Sequence, residues 1–242
     1  MPLVIGLTGS IAAGKSLLSD HLVMTRGAIH ANADTLVHRM YDPGTDGFDR
    51  IVAEFGSEVI GADGTIDRKV IGSKVFGNRE RMSALTTAIG DISGMIHNTI
   101  DAWHEELPQD AIAIMEAANL IEPGYSEWCD VTWLVACEME TARPRLMARN
   151  GFTEEEAMQR INGARDWRDR APAADRIFHN DSTLQEFKSE IDAGIAETKA
   201  RFDADELAKS RWFDWRREQD ELKAAKAAEQ AASDSGTQAE DT

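Results

Sequence analysis

Short runs of apolar residues recur along the chain and predict the strands of a buried parallel sheet. The first run covers residues 2–8 (PLVIGLT), and similar runs cover 111–117 (AIAIMEA) and 131–137 (VTWLVAC), with weaker ones at 28–31 and 176–179. A strand that is buried on both faces is continuously apolar, as these runs are. Because long stretches with helical spacing separate the runs, the pattern predicts an α/β fold with about five parallel strands flanked by helices.

Two intervals between the predicted strands are too long for a single crossover helix. Residues 35–109 contain several helical patterns broken by turn residues such as Asp42-Pro43-Gly44, and they predict a mostly helical insertion that binds a second substrate. Residues 138–172 are rich in Arg and Glu and predict an exposed helical hairpin. In that hairpin Thr153 precedes Glu156 by three residues, which is the spacing of a capping box. The predicted core comprises residues 1–34, 110–137 and 173–202.

Residues 203–242 form a separate acidic tail in this prediction. The segment is rich in Ala, Glu, Lys and Asp, so we predict a helix that frays into disorder near Ser233. An aromatic cluster of Trp212, Phe213 and Trp215 interrupts the polar pattern. This cluster favours a packing anchor against the main domain over a surface for a partner protein, and both interpretations stay open at the level of sequence.

Charge and composition exclude several classes of protein. The chain has 26 Lys and Arg against 43 Asp and Glu, a formal net charge of −17, which repels polyphosphate backbones, so we expect no nucleic-acid partner. Its ordinary mixture of 42% hydrophobic and 29% charged residues predicts no membrane association. The first apolar run is broken by Gly6 and Gly9 and is unlike a secretory signal. Cys129 and Cys137 are too few for a disulfide framework. We therefore predict a cytoplasmic protein. A monomer or a weak homo-oligomer is expected, although these features do not decide the oligomeric state.

A complete phosphate-binding motif follows the first apolar run directly. The segment GSIAAGKS matches G-x-x-x-x-G-K-[ST] and precedes a helical pattern that we expect to begin at Leu17. In such a turn the backbone N–H groups point inward and the helix N-terminus adds positive charge, so the turn binds polyphosphate despite the acidic chain. We expect Lys15 to reach the β- and γ-phosphates of ATP and Ser16 to ligate Mg²⁺. The predicted ATP-binding residues of the turn are Gly9, Ser10, Ile11, Ala12, Ala13, Gly14, Lys15, Ser16 and Leu17.

Asp34 is the best candidate on the acceptor side. It follows the second apolar run, so in a parallel sheet it lies at the carboxyl end of a strand, at the same edge as the phosphate-binding turn. A carboxylate there can orient an acceptor hydroxyl and take its proton. The alternative is that Asp34 is only the N-cap of the next helix, since an Asp after a strand often has that role.

Several motifs, taken together in order and spacing, resemble the dephospho-CoA kinase family. They span about residues 3–200 and are LTGSIAAGKS, NADTLVHRMYDPGTDGFDRIVAEFG, DGTIDR, VF, NLIE, ETARPRLMARNGFTEEEAMQRI and AADRIFHN. The resemblance implies a P-loop NTPase-type core with a helical substrate-binding region and a lid at residues 138–172. It also implies transfer of the γ-phosphate of ATP, with Mg²⁺, to the ribose 3′-hydroxyl of dephospho-CoA. The implied partners are these two substrates.

The resemblance also assigns roles to single residues. Asp34 matches the family's acceptor-activating aspartate, and Arg145 matches an arginine of the lid helix. The implied catalytic residues are therefore Asp34, Lys15 and Arg145. Arg145, Arg149 and Arg170 are the implied arginine ligands of ATP, because guanidinium groups pair well with phosphate oxygens. The alternative for these arginines is a solvated helical face. Arg68 and Glu122 join Asp34 as implied acceptor-binding residues. The alternatives are a surface salt bridge for Arg68 and a helix cap for Glu122. Glu116, near the end of the third predicted strand, is a candidate for orienting a magnesium-bound water.

Some positions depart from the family's pattern. Ser10 and Ala12 stand where the family usually has glycines, and Asn32 stands where it has an aspartate. Further departures lie at Gly90-Asp91, Ala118-Asn119 and Ala164. Because several of these fall where the acceptor side is expected, one alternative is a kinase for another small acceptor, such as a nucleoside monophosphate. The other is a nucleotide-binding regulatory protein with weak catalysis.

Overall fold

A five-stranded sheet organises the protein in a computed structural model that describes the backbone of residues 1–237 and the side chains of residues 1–228. The strands follow the order β2-β3-β1-β4-β5, and parallel pairing joins β2 to β3, β1 to β4 and β4 to β5. This confirms the predicted parallel α/β fold, and the apolar runs fall on the strands. The strands are β1 (Leu3–Gly9), β2 (Ile29–Asn32), β3 (Ile112–Glu116), β4 (Val131–Ala136) and β5 (Arg176–His179).

Helices fill the intervals between the strands. Short 3₁₀ helices occupy Ser57–Val59, Tyr125–Trp128 and Ala171–Ala173. The α-helices of the described residues are α1 (Lys15–Arg26), α2 (Ala33–Arg39), α3 (Asp46–Phe55), α4 (Arg68–Val75), α5 (Arg79–Ile89), α6 (Ile92–Glu106), α7 (Met139–Asn150), α8 (Glu154–Gly163), α9 (Trp167–Arg170), α10 (Leu184–Asp203) and α11 (Trp212–Thr237).

The chain divides into two compact units. The first holds Met1–Val4 and Leu22–Ala118, and the second holds Ile5–His21 and the chain from Asn119 onward. In the first unit, α3, α4 and α5 enclose an apolar core that includes Ile51, Phe55 and Ile71. These helices begin at residues whose side chains accept a backbone N–H, as good N-caps do. The predicted boundaries of the helical insertion and its substrate-binding role stay predictions.

In the second unit, α10 packs against β5. The contact is close because Gly194 has no side chain: a Cβ there would lie 2.8 Å from the Phe178 ring. The Phe178 ring in turn lies 4.8 Å from the ring of Trp133, centroid to centroid, and both rings are fully buried. The capping box predicted at Thr153 and Glu156 is present and begins α8.

The tail contributes α11 to the second unit, and its start is anchored to the sheet. The carboxylate of Asp175 accepts the backbone N–H groups of Thr132 and Arg211 and the hydroxyl of Ser210, each at 2.7 Å. Trp212 is 4% exposed and packs with Ile121. The aromatic cluster therefore meets the body of the second unit. The predicted fraying of the tail falls partly on residues 238–242, which lie outside the described residues.

Two further observations concern the described part of the chain. Cys129 and Cys137 are both buried free thiols. Burial raises the pKa of each thiol, so both are protonated at neutral pH. Of the described helices, none combines the length and apolar character needed to cross a membrane.

Candidate active site

The phosphate-binding turn runs between β1 and α1 and is tied to the neighbouring strand β4. The backbone N–H of Ser10 donates to the carbonyl of Val135 at 3.0 Å. A Cβ at Gly9 would lie 2.3 Å from the same carbonyl oxygen, so only glycine allows this approach. Helix α1 begins at Lys15, two residues earlier than Leu17, where the sequence predicts its start. The lysine and Ser16 therefore belong to the first helical turn.

Two residues of the turn adopt left-handed backbone conformations. Gly14 has φ of 100°, which suits glycine, and Ala12 has φ of 56°, which does not suit a residue with a Cβ. Ala12 is one of the positions where the resembling family usually has glycine. The sequence predicts only a loss of backbone freedom there. The structure shows that the turn needs the left-handed conformation at this position and adopts it at a cost in backbone strain.

We expect Ala12→Gly to stabilise the protein. The substitution removes left-handed strain of about 1–2 kcal/mol, partly offset by the greater entropy of glycine in the unfolded chain, for a net gain of about 0.5–1 kcal/mol. In a chain of this size that raises Tm by about 2 °C, measured by thermal unfolding. Ala13→Gly is the matched control, because Ala13 is buried and has no positive φ; it should lower Tm. An equal decrease in Tm in both variants would contradict the backbone strain inferred at Ala12.

The side chain of Asn180 supports the phosphate-binding turn through a hydrogen bond. This role of Asn180 was not predicted from the sequence. It follows β5, is 4% exposed, and its Nδ2 donates to the carbonyl of Ala13 at 2.7 Å. A Cβ at Gly14 would lie 2.5 Å from the same Nδ2, so Gly14 is needed for this contact as well as for its φ. The Oδ1 of Asn180 accepts Nη2 of Arg145 at 3.3 Å. The only sequence signal was the position of Asn180 at the end of AADRIFHN.

Lys15 and Ser16 occupy the mouth of the turn. The Nζ of Lys15 donates to the carbonyls of Gly9 and Ser10, each at 3.4 Å, which are weak contacts within its own turn. Ser16 is exposed in the first turn of α1. Both residues therefore lie in the first helical turn after the phosphate-binding motif, and their contacts to a bound triphosphate stay predictions.

A cavity of about 290 Å³ adjoins the turn within the second unit. Ser10 and Ile11 line one side, and the segment from Ala164 to Arg168 lines another. Cys137 also lines it, and its backbone N–H donates to the Ser10 hydroxyl at 3.4 Å. The volume is near the lower end of the range for small-molecule sites. The departure at Ala164 therefore lies in the wall of this cavity.

Arg145 and Arg149, two of the three arginines of α7, differ in their surroundings. Arg145 reaches the turn through Asn180, and its Nη1 is buried with no hydrogen-bond partner among the described residues. Arg149 is exposed, and its Nε donates to the side chain of Asn150 at 2.9 Å. The ion pair to Glu154 comes from Arg143. The structure therefore brings Arg145, and not Arg149, to the phosphate-binding turn.

Arg170 and Glu122 form a half-buried ionic cluster with Arg165. Nε of Arg170 and Nη1 of Arg165 each lie 2.7 Å from Oε1 of Glu122, and Nη2 of Arg170 lies 3.3 Å from Oδ1 of Asn119. Burial alone would raise the pKa of Glu122, but the hydrogen bonds and charges of Arg170 and Arg165 outweigh burial and lower it. Glu122 is therefore ionised at neutral pH. Two residues assigned to different substrates by the resemblance, Glu122 and Arg170, contact each other directly.

Asp34 lies in the first turn of α2, in the first unit, and its side chain is exposed. The N-cap of that helix is Asn32, whose side chain accepts the backbone N–H of Thr35 at 3.2 Å. The interpretation of Asp34 as an N-cap is therefore wrong. The departure at Asn32 is accounted for by the same contact, since an amide oxygen caps a helix as well as a carboxylate does. The carboxylate of Asp34 is therefore not used to cap α2 and can contact a substrate.

His38 and Arg68 meet beside Asp34 in the first unit. Nη1 of Arg68 lies 3.2 Å from Nδ1 and 3.3 Å from Nε2 of His38. Burial, followed by the charge of Arg68, lowers the pKa of His38, while Asp34 and Asp42 act in the opposite direction. A guanidinium has no acceptor, so His38 in this contact is neutral. Sequence reasoning missed His38, although it lies four residues after Asp34 on the same helix.

We expect the pKa of His38 to be below its usual 6.5, which NMR titration of its ring protons would measure. Because the pKa is lower in the folded than in the unfolded state, the stability linked to His38 is present above pH 6.5 and is lost as pH falls. Arg68→Ala should raise the pKa, and Asp34→Asn should lower it. Arg79→Ala, at the start of α5, is the control and should leave it unchanged. If Arg68→Ala left the pKa of His38 unchanged, that result would contradict the contact between Arg68 and His38.

Glu116 is nearly fully buried at the end of β3. One of its carboxylate oxygens lies 3.1 Å from Nε2 of His30 on the neighbouring strand β2. Its proposed part in orienting a magnesium-bound water stays a prediction. Among the side chains that the structure describes, no three of His, Cys, Asp or Glu gather in a way that could hold a metal ion. Mg²⁺ that is bound mainly by substrate phosphates and water needs only one or two protein ligands, so the Ser16 hydroxyl fits that role.

A strand, a complete phosphate-binding turn and a helix on a parallel sheet of this order define a P-loop nucleoside-triphosphate-binding protein of the kinase type. A family model described as dephospho-CoA kinase matches residues 3–186. The chain belongs to the dephospho-CoA kinase family, which confirms the resemblance found in the sequence.

Individual relatives agree with this assignment. The dephospho-CoA kinase of Symbiobacterium thermophilum is 35% identical over 191 residues, covering 78% of this chain and 79% of that protein. The dephospho-CoA kinase of Geobacter sulfurreducens is 35% identical over 193 residues, covering 78% and 95%. The crystal structure of TT1252 from Thermus thermophilus has the same fold, with a TM-score of 0.66 and 24% identity over 81% of this chain and 97% of that one.

Proposed function

We propose that this protein transfers the γ-phosphate of ATP to the ribose 3′-hydroxyl of dephospho-CoA and so produces CoA. The observation that carries the proposal is the family match over residues 3–186 in a chain whose phosphate-binding turn is complete and braced by Asn180. The reaction is the last step of CoA biosynthesis. The cytoplasmic location and the monomeric or weakly oligomeric state stay predictions.

On the ATP side, this chain supplies fixed dipoles and positive charge. The glycine-containing turn and the N-terminus of α1 would face the phosphates, and Lys15 would add an ammonium group. Ser16 would hold Mg²⁺, which supplies charge neutralisation to the phosphate oxygens when bound. The weak 3.4 Å contacts of Lys15 support this role, because they are replaced at little cost by stronger contacts to phosphate.

Arg145 is the lid arginine best placed to assist transfer. Its Nη2 contacts the residue that braces the turn, and its buried Nη1 has no partner among the described residues. A guanidinium with a spare donor next to a phosphate-binding turn is suited to stabilise charge that develops on the transferred group. We assign Arg170 to ATP binding and Arg149 to contacts made when the lid closes over the nucleotide.

On the acceptor side, Asp34 is assigned as the residue that orients the 3′-hydroxyl and accepts its proton. Its exposure in the first turn of α2 supports this role, and so does its release from capping by Asn32. Arg68 is assigned to hold the acceptor. Glu122 is assigned to the acceptor side as well, through Arg170, the side chain that it contacts.

The direct test mixes purified protein, ATP, Mg²⁺ and dephospho-CoA and detects CoA by mass spectrometry. We expect a product heavier by one phosphoryl group, with ADP in equal amount, and far slower product formation from the Lys15→Ala variant. Formation of ADP only with a nucleoside monophosphate in a panel of acceptors would overturn the acceptor in favour of the alternative kinase. ATP binding without turnover on any acceptor would instead support the regulatory protein.

A further inference from the structure

The C-terminal helix α11 lies beyond the residues that the family model matches, yet it contacts the second unit through buried groups. The indole Nε1 of Trp212 donates to the carbonyl of Ile121 at 2.9 Å. The ring lies within an apolar cluster with Ile121 and Ala173. A Cβ at Gly124 would be 3.6 Å from the Trp212 ring, which places the ring directly against the segment after β3. This contact holds the backbone at Ile121.

The next residue along the same segment is held by the same helix. Nη1 of Arg216 donates to the carbonyl of Glu122 at 3.2 Å, while its Nε pairs with Asp220 one turn later on α11. Two successive carbonyl groups, at Ile121 and Glu122, therefore accept hydrogen bonds from side chains one turn apart on α11. Helical spacing explains the match, since residues i and i+4 lie on one face.

The side chain of Glu122 in turn forms ion pairs with two arginines. Its Oε1 lies 2.7 Å from both Arg165 and Arg170, and the Arg170 side chain is only 8% exposed. Arg165 lines the cavity beside the phosphate-binding turn and also a second cavity, of about 440 Å³, bounded by Trp215 and Arg216 of α11. A continuous series of direct contacts thus leads from α11 through Glu122 to the nucleotide side of the second unit.

We propose that α11 is a positioning element for the nucleotide site. Trp212 and Arg216 hold the backbone of Ile121 and Glu122. Glu122 in turn pairs with Arg170 and holds Arg165 at the cavity where, as the proposed function requires, ATP binds. A carboxylate that holds two guanidinium groups must itself be held, because small misplacements of charged groups at a phosphate site lower affinity and rate strongly. The helix acts through Glu122 and touches no substrate.

The test measures the Kd of a non-hydrolysable ATP analogue with Mg²⁺ for variants of the full chain. We expect Arg216→Ala to raise this Kd, and the KM for ATP, by about three- to tenfold, as expected for the loss of one positioning hydrogen bond. The KM for dephospho-CoA should change by less than about twofold. Trp212→Phe keeps an aromatic ring but removes the Nε1 donor, and it should act in the same direction. Arg216→Lys, which keeps a donor, should restore much of the affinity.

Arg217→Ala is the matched control, since Arg217 is the next residue on α11 and pairs with Asp214 at the surface. It should leave the Kd of the ATP analogue and the KM values for ATP and dephospho-CoA unchanged. A lower Tm with an unchanged Kd in both Arg216→Ala and Trp212→Phe would make α11 a stabilising helix only and would overturn the proposal. A wild-type chain that binds the analogue but makes no CoA would overturn the proposed acceptor and leave this role intact. A wild-type chain that binds no nucleotide would overturn both.

Discussion

Lys15→Ala should lower kcat/KM for ATP by about 10²–10³-fold, which is the usual loss when one charged group that stabilises a transition state is removed. Steady-state kinetics over a range of ATP concentrations measures this effect directly. The fold should persist, because the two contacts of Nζ to carbonyls of its own turn are long, at 3.4 Å each. Tm is therefore expected to stay within about 2 °C of the wild-type value, in line with the loss of weak, partly exposed hydrogen bonds.

The control for this experiment is Lys188→Ala, which removes a lysine from α10, outside the phosphate-binding turn. It should retain full activity. If Lys15→Ala kept more than about a tenth of the wild-type kcat/KM, the expected phosphate contact would be refuted.

Asp34→Asn should lower kcat by about 10²-fold or more while the Kd for ATP changes little. An amide accepts a hydrogen bond from the acceptor hydroxyl but cannot take its proton, so the loss falls on the chemical step. Because Asp34 is exposed, the variant should fold normally. Loss of its charge in the first turn of α2 costs at most about 1 kcal/mol of stability. Single-turnover kinetics with saturating ATP separates the chemical step from binding.

Asp46→Asn offers a matched control, because Asp46 is also an exposed aspartate at the start of a helix in the first unit. Its turnover should equal that of the wild type. Unchanged turnover in Asp34→Asn would reject the catalytic role of Asp34. The same variant also serves the NMR experiment, where it should lower the pKa of His38, since Asp34 raises that pKa in the folded protein.

The phosphate-binding turn was predictable from sequence because its conformation is local. Eight consecutive residues, the preceding strand and the following helix are enough to recognise it. The contacts that support the turn were not predictable, because they join distant parts of the chain. Asn180 lies 167 positions from Ala13, the residue whose carbonyl it binds. No pattern within either segment signals the pairing, and it exists only because β5 ends beside the turn.

For the candidate acceptor residues too, local sequence predicted some features and tertiary contacts decided the others. Asp34 was identified from its place after a strand and from the family resemblance. Its chemical environment came from the tertiary contact between Arg68, the first residue of α4, and His38 of α2, which are 30 positions apart in sequence. The question of which residue caps α2 was also decided in three dimensions, where the side chain of Asn32 satisfies the helix N-terminus.

By itself, the sequence determined the class of fold, the nucleotide site and the family, because apolar periodicity, the turn motif and the order of motifs are properties of consecutive residues. The tertiary structure alone decided which side chains support that site: Asn180 beneath the turn, His38 beside Arg68, and α11 against Ile121 and Glu122. The physical reason is that hydrogen bonds act over about 3 Å. Their partners are chosen by how helices and strands pack, and packing is not encoded in any single stretch of chain.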